Sequence, residues 1–187
     1  NVYIREVKVQ KPSETVLPED ELIIREPEHP YVGRGALKLE KAIRVFHVDP
    51  SGVTALDIGA ATGGFSDVLL RNGAAHVFAI DVGYGQLDWK IRSDPRVTVM
   101  ERTNARYLTP EQLGGSVPDL TVMDVSFISV RLILPVVAGL MKNQGIFCIL
   151  IKPQFEAGRE NVGKKGVVRD PAVHETVIRE IRDFAPA

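Results

Sequence analysis

The chain reads as an α/β protein: a doubly wound, mostly parallel sheet with helices on both faces. Three observations carry that reading. From Gly52 onward, strand-like and helix-like segments alternate. The strand-like segments are continuous apolar runs, as burial on both faces demands of a parallel strand. The first of these runs leads into a glycine-rich turn, Gly59-Ala60-Ala61-Thr62-Gly63-Gly64, that opens a helix.

The elements follow in order. Residues 1–26 alternate apolar and polar positions (Val2, Ile4, Val7 and Val9, then Leu22, Ile23 and Ile24), with turns at Lys11-Pro12-Ser13 and Pro18-Glu19-Asp20. They are too few to form a core and read as a flap, a linker or the tail of another domain. The main domain, residues 27–187, opens with the loop Pro27-Glu28-His29-Pro30. Residues 35–46 lack proline and are rich in helix formers, so they predict a helix. Strands follow at 53–58, 75–81, 96–101 and 119–124. Between them come a helix at 64–72 ended by Gly73, a short helix at 86–93 and a helical turn at 110–113. A helix at 130–140 carries Pro135, which should kink or break it. Residues 145–152 form the most apolar strand and are expected at the sheet centre. Residues 171–184 make a last helix with Val173, Val177, Ile178 and Ile181 on one side.

Composition narrows the class. A chain of 187 residues, 44% apolar and 25% charged, suits one folded domain with a short appendage. The lone Cys148 lies in the run Ile146-Phe147-Cys148-Ile149-Leu150-Ile151, where it reads as a buried thiol. That usage fits a reducing, cytoplasmic setting. No apolar run reaches the roughly 18–20 residues of a membrane helix, and no signal peptide is visible. A net charge of −1 argues against a general polyanion binder but leaves room for local basic patches.

The strand ends carry the chemistry. Asp57, Asp81, Asp124 and Lys152 all close apolar runs, and in such sheets ligands bind at the carboxyl ends of the strands, near the switch in strand order. Glycines bring backbone N–H groups close to a ligand, and an acid at the tip of the next strand takes ribose hydroxyls. Asp81, 24 residues after Asp57, is that acid. A nicotinamide site prefers Gly-x-Gly-x-x-Gly, and here the second glycine is replaced by Ala61. A P-loop needs Gly-Lys-Ser/Thr, which is missing. A phosphate-free nucleoside cofactor, S-adenosylmethionine, fits better. Asp57 is placed to hold its amino-acid end through water or backbone. Gly59, Gly63, Gly64 and Phe65 are expected along the methionine end, Asp81 at the ribose, Val82 and Gly83 at the adenine edge, and Asn104 at the adenine amino group.

Several segments together resemble one family. Tyr31-Val32-Gly33-Arg34-Gly35-Ala36-Leu37-Lys38-Leu39 is similar to a signature of hemolysin A (TlyA) type proteins. Residues 57–65 resemble the glycine motif of FtsJ-like S-adenosylmethionine methyltransferases. Met123-Asp124-Val125-Ser126-Phe127, Lys152-Pro153-Gln154-Phe155-Glu156 and Gly163-Lys164-Lys165-Gly166 continue the likeness in the same order. The resemblance implies a Rossmann-like class I methyltransferase fold and 2′-O-methylation of ribosomal RNA. Residues 1–26 are similar to the end of an S4-type RNA-binding domain. The resemblance also implies a Lys-Asp-Lys-Glu catalytic set, mapped here onto Lys38, Asp124 and Lys152. The glutamate is expected on a strand after the last helix, so the chain is expected to lack its last strands and that fourth group.

The chemistry agrees with those positions. A ribose 2′-hydroxyl is a poor nucleophile and must lose its proton as it attacks a sulfonium methyl in line. Lys152 could take that proton as a neutral amine or, charged, stabilise the developing alkoxide, with Asp124 orienting it. The basic residues Arg34, Lys41, Lys164, Lys165 and Arg169 form a plausible phosphate-contacting rim. Gly163-Lys164-Lys165-Gly166 reads as a loop able to close over substrate. The four histidines show no metal-binding spacing, so no metal is expected. Two other readings remain open. One is an RNA-binding or hemolysin-like protein on an inactive methyltransferase fold, and the other is a nucleotide-dependent oxidoreductase.

Overall fold

A computed structural model describes residues 2–9, 11, 13–24 and 29–185, which fall into two compact units, residues 1–30 and 31–187. Part of the loop expected at 27–30 lies outside the described residues. In the first unit, β1 (Val2–Ile4) pairs antiparallel with β2 (Val7–Lys8) on one side and β3 (Leu22–Ile24) on the other. Val7, Leu22 and Ile24 stay exposed, so these short strands bury little by themselves.

The second unit begins with α1 (Ala36–Phe46) and continues β4 (Thr54–Ile58), α2 (Gly64–Arg71), β5 (His76–Ile80), α3 (Trp89–Arg92), β6 (Val97–Met100) and β7 (Leu120–Met123). It closes with α4 (Leu134–Ala138), β8 (Ile146–Ile149), α5 (Pro153–Glu156) and α6 (Pro171–Phe184). All five strands run parallel in the order β6-β5-β4-β7-β8. The chain steps outward from β4 to β5 and β6, then returns to the other side of β4. The switch point therefore lies between β4 and β7, where Ile58 pairs with Met123.

Each strand feeds two layers because successive side chains point to opposite faces. Ala55, Val77, Ala79 and Val122 pack with Leu39 of α1 and with Val68 and Leu69 of α2. Leu56, Ile58, Phe78, Ile80 and Met123 pack with Leu134 and Val137 of α4 and with Val177 and Ile181 of α6. Fully burying one such side chain contributes about 1.5–3 kcal/mol, so these two layers hold the sheet rigid beneath the strand ends.

Three local expectations change. The most apolar strand, β8, lies at the sheet edge and not at its centre. Its side chains alternate between the two layers, Cys148 in one and Phe147 and Ile149 in the other, but these three are only half-buried and Ile146 is 46% exposed. The helix read at 130–140 is split into a 3-10 turn, Val130–Leu132, and α4. Pro135 sits in the first turn of α4, where its missing N–H leaves no helical bond unmade. The helix read at 86–93 shrinks to α3, started by Asp88, whose side chain accepts from the Lys90 N–H at 2.9 Å.

Candidate active site

The glycine turn is shaped by its backbone. The Gly59 and Ala60 N–H groups both donate to the Ile80 carbonyl, at 2.9 and 3.1 Å, which bends the chain over the end of β5. Gly59 has φ +85°, and a Cβ there would stand 2.7 Å from the Asp124 carbonyl oxygen. Only glycine permits β4 and β7 to open so narrowly at the switch point.

Asp81 ties this turn to the next loop. One carboxylate oxygen accepts from the Ala61 N–H at 2.8 Å and the other from the Gly83 N–H at 2.7 Å. Beside it opens a cleft of about 460 Å³, lined by Gly59, Asp81, Val82, Asn104, Asp124 and Phe127, with Ile58, Ile80, Ala105 and Ile133 among its apolar walls. Asn104 starts the 3-10 turn Ala105–Tyr107, its side-chain oxygen accepting from the Arg106 N–H at 3.1 Å.

Asp57 lies beneath the turn and is fully buried. Its Oδ2 accepts from the Ser66 hydroxyl at 2.7 Å, while Oδ1 is buried with no hydrogen-bond partner. Burial pushes its carboxyl up to about 7 against the pull of the Ser66 hydrogen bonds, and the charges of Asp124 and Asp81 push the same way. Gly63, Gly64 and Phe65, expected along the ligand, are instead buried at the start of α2. A Cβ on Gly63 would meet Leu87 and Ile91, and one on Gly64 would stand 3.0 Å from the Ala36 nitrogen. These glycines let α2 pack closely on its neighbours.

Lys38, Asp124 and Lys152 do meet. Lys38, on the first turn of α1, donates to Asp124 Oδ2 at 2.7 Å across 86 residues of sequence. Lys152 Nζ stands 2.6 Å from the other oxygen, Oδ1, in an ion pair that lacks the angle of a directed hydrogen bond. Its directed bond goes to the Ser126 hydroxyl at 2.8 Å. Burial raises the Asp124 carboxyl, but hydrogen bonds and charge from Lys152 and Lys38 outweigh it and hold the group below the usual carboxylate range. The result is one carboxylate clasped by two ammonium groups at the mouth of the cleft.

The rim residues Arg34, Lys41, Lys164, Lys165 and Arg169 are exposed. The segment 163–167 is a closed turn, with the Gly166 N–H on the Gly163 carbonyl at 2.8 Å and the Gly163 N–H on the Val167 carbonyl at 3.1 Å. Among the described residues no group of three His, Cys, Asp or Glu side chains could hold a metal, and no helix is long and apolar enough to cross a membrane. Sequence reasoning gave no role to Ser126 or Glu156, although both sit in quoted motifs. Their signal is a contact between the ends of two strands, which no local pattern encodes.

An open parallel sheet with its glycine turn, strand-end acid and cleft gathered at the switch point defines a Rossmann-like fold of the class I methyltransferase kind. The chain belongs to the FtsJ-like methyltransferase family, which it matches over residues 31–185. It is 50% identical over 186 residues to the YqxC protein of Bacillus subtilis, covering all of this chain and 66% of that one. It is 53% identical over 149 residues to the 16S/23S rRNA (cytidine-2′-O)-methyltransferase TlyA of Mycobacterium tuberculosis, covering 80% of this chain and 55% of TlyA. A solved protein of Streptococcus thermophilus, named as a hemolysin, superposes with a TM-score of 0.85 at 45% identity, over 98% of this chain and 67% of that one. The chain thus spans about two thirds of YqxC and just over half of TlyA.

Proposed function

We propose that this chain carries the catalytic domain of an S-adenosylmethionine-dependent ribosomal-RNA ribose 2′-O-methyltransferase, in a cytoplasmic setting, and that residues 1–26 belong to an RNA-binding element. The observation that carries the reading is the clasp of Lys38 and Lys152 on Asp124 at the mouth of a nucleoside-sized cleft. The name of the mycobacterial relative supports the same activity and substrate.

The residues fit the cofactor. The Cβ-free approach at Gly59 and the acid Asp81, both lining the cleft, suit a ligand that carries a ribose. Bound there, S-adenosylmethionine supplies an electrophilic methyl group. Asp81 would accept the ribose hydroxyls with lone pairs its two backbone bonds leave free, and Val82 and Asn104, which line the same cleft, would border the base. Asp124 holds two ammonium groups, one on each carboxylate oxygen, and an RNA 2′-hydroxyl brought beside them would find donors for its oxygen. As the hydroxyl proton leaves, negative charge would grow on that oxygen and the two donors would stabilise it until the oxygen takes the methyl group and the methyl–sulfur bond breaks; such stabilisation is worth about 10²–10³ in rate per donor in comparable sites. The resting ion pair favours this role for Lys152 over that of a neutral base, and the hydroxyl proton departs to solvent. The exposed arginines and lysines of the rim would hold the RNA backbone.

Two measurements test the proposal. Calorimetry should show binding of S-adenosylmethionine and none of NAD; the reverse would refute the cofactor. Methyl transfer to ribosomal RNA should fall at least about a hundredfold in Lys152→Ala with the fold retained. Activity equal to wild type would remove Lys152 from the mechanism.

A further inference from the structure

The loop after β7 and the turn after β8 are tied together at three points. Nearest the cleft, Lys152 Nζ reaches Asp124 Oδ1 and the Ser126 hydroxyl. Next, the rings of Phe127 and Phe155 lie 5.3 Å apart between centroids. Outermost, Glu156 accepts from the Ser129 hydroxyl at 2.6 Å through Oε2 and from the Val130 N–H at 2.8 Å through Oε1. Both bonds of that one carboxylate land on adjacent residues of the same loop.

We propose that Glu156 is a positioning residue of the methyl-transfer site: by clamping the start of the Val130–Leu132 turn, it fixes the 126–129 loop and so sets where Lys152 stands. The inference rests on the function proposed above for Lys152.

Lys152 immediately precedes α5, and Glu156 is the last residue of that single turn. The Phe155 N–H donates to the Lys152 carbonyl at 2.9 Å, so the two side chains share one rigid piece of backbone. The partner loop is tied internally at its far end, where the Ser129 hydroxyl accepts from the Arg131 N–H at 3.2 Å. It contains Phe127 at φ +65°, a conformation that side chains other than glycine adopt only when surroundings enforce it. It lies outside helix and strand between Asp124 and the turn at Val130. Ser126 and Ser129 are thus the two ends of a short, strained segment, one held by Lys152 and the other by Glu156. Releasing the Glu156 end frees the loop to relax and moves the hydroxyl that directs Lys152. Misplacing a catalytic group by about 1 Å can cost about a hundredfold in rate.

The test uses the full-length protein. Glu156→Ala should lower kcat for RNA methylation about ten- to a hundredfold, with cofactor affinity unchanged. Glu156→Gln keeps an acceptor for the Val130 N–H, and the Ser129 hydroxyl can turn to accept from the new amide, so it should recover most of the loss. In a Ser126→Ala background the link to Lys152 is already cut, and Glu156→Ala should then cost at least about fivefold less than it does in wild type. Additive effects would overturn the proposal. An activity-free readout is the ¹³C-lysine spectrum: the Lys152 ε-methylene signal, assigned with Lys152→Arg, should shift in Glu156→Ala. If wild type transfers no methyl group, the function fails while the spectrum still decides the clamp. If wild type is active and Glu156→Ala matches it with an unmoved signal, the clamp is wrong. Should Glu156→Ala fail to fold, Ser129→Ala removes the 2.6 Å bond, together with the 3.2 Å bond from the Arg131 N–H to the same hydroxyl, and serves in its place.

Discussion

Asp57→Asn should stabilise the ligand-free protein at alkaline pH. The Asp57 carboxyl is fully buried, and burial lifts its pKa to about 7, well above the roughly 3.9 of an unfolded chain. A folded-state pKa raised above the unfolded one means that the native protein holds a proton which the unfolded chain has released. Stability from this group is complete below pH about 4 and is lost as pH climbs through the window from about 4 to about 7. At about 1.36 kcal/mol per pKa unit the full loss is about 4 kcal/mol, of which about 2–3 kcal/mol falls between pH 5 and pH 8. Asparagine cannot ionise, so it escapes that loss, and it can still accept from the Ser66 hydroxyl. Asp124 and Asp81 act on Asp57 by charge and Ser66 by hydrogen bonding, and all three remain in the variant. The assay is urea denaturation of both proteins at pH 5 and pH 8 at one ionic strength. The difference between variant and wild type should grow by about 2–3 kcal/mol in favour of the variant across that range. Carboxylates held low, such as Asp119 and Asp94, change both proteins alike and cancel. A difference that stays constant with pH would refute the buried, neutral acid.

Three further outcomes follow from the site. Gly59→Ala forces a Cβ to within 2.7 Å of the Asp124 carbonyl at φ +85° and should cost about 1–3 kcal/mol by thermal unfolding, with S-adenosylmethionine binding lost in calorimetry. Asp81→Ala removes the acceptor of both the Ala61 and Gly83 N–H groups and should weaken S-adenosylmethionine at least about tenfold while leaving circular dichroism unchanged. Asp124→Asn leaves Lys38 and Lys152 without their shared charge and should cut methyl transfer at least about a hundredfold. Because the Asp124 pKa is held low, its contribution to stability is present above the usual carboxylate range and is lost as pH falls; pH titration of the variant should lack that loss.

Local chemistry was legible in the residues. The glycine turn, the acids at the strand ends and the alternation of apolar runs with helices are short-range patterns, and each lies where the sequence placed it. Pro135 marked the break before α4 correctly, since a missing N–H is a property of one residue. The place of β8 was not legible. A continuous apolar run says that side chains on both faces contribute to packing, and nothing about how many strands flank it. Gly63 and Gly64 also serve a close approach that the sequence did not reveal, that of α1, Leu87 and Ile91.

The sequence by itself determined the class of fold and the glycine turn and acids at the strand ends, because turn geometry and strand burial depend on neighbours a few residues apart. Only the tertiary structure decided the rest. It brought Lys38 to Asp124 across 86 residues, buried Asp57 with one oxygen unpartnered, and set Glu156 against Ser129 and Val130. These contacts depend on the order of strands in the sheet, and that order is settled by which packing of distant segments buries both faces at once.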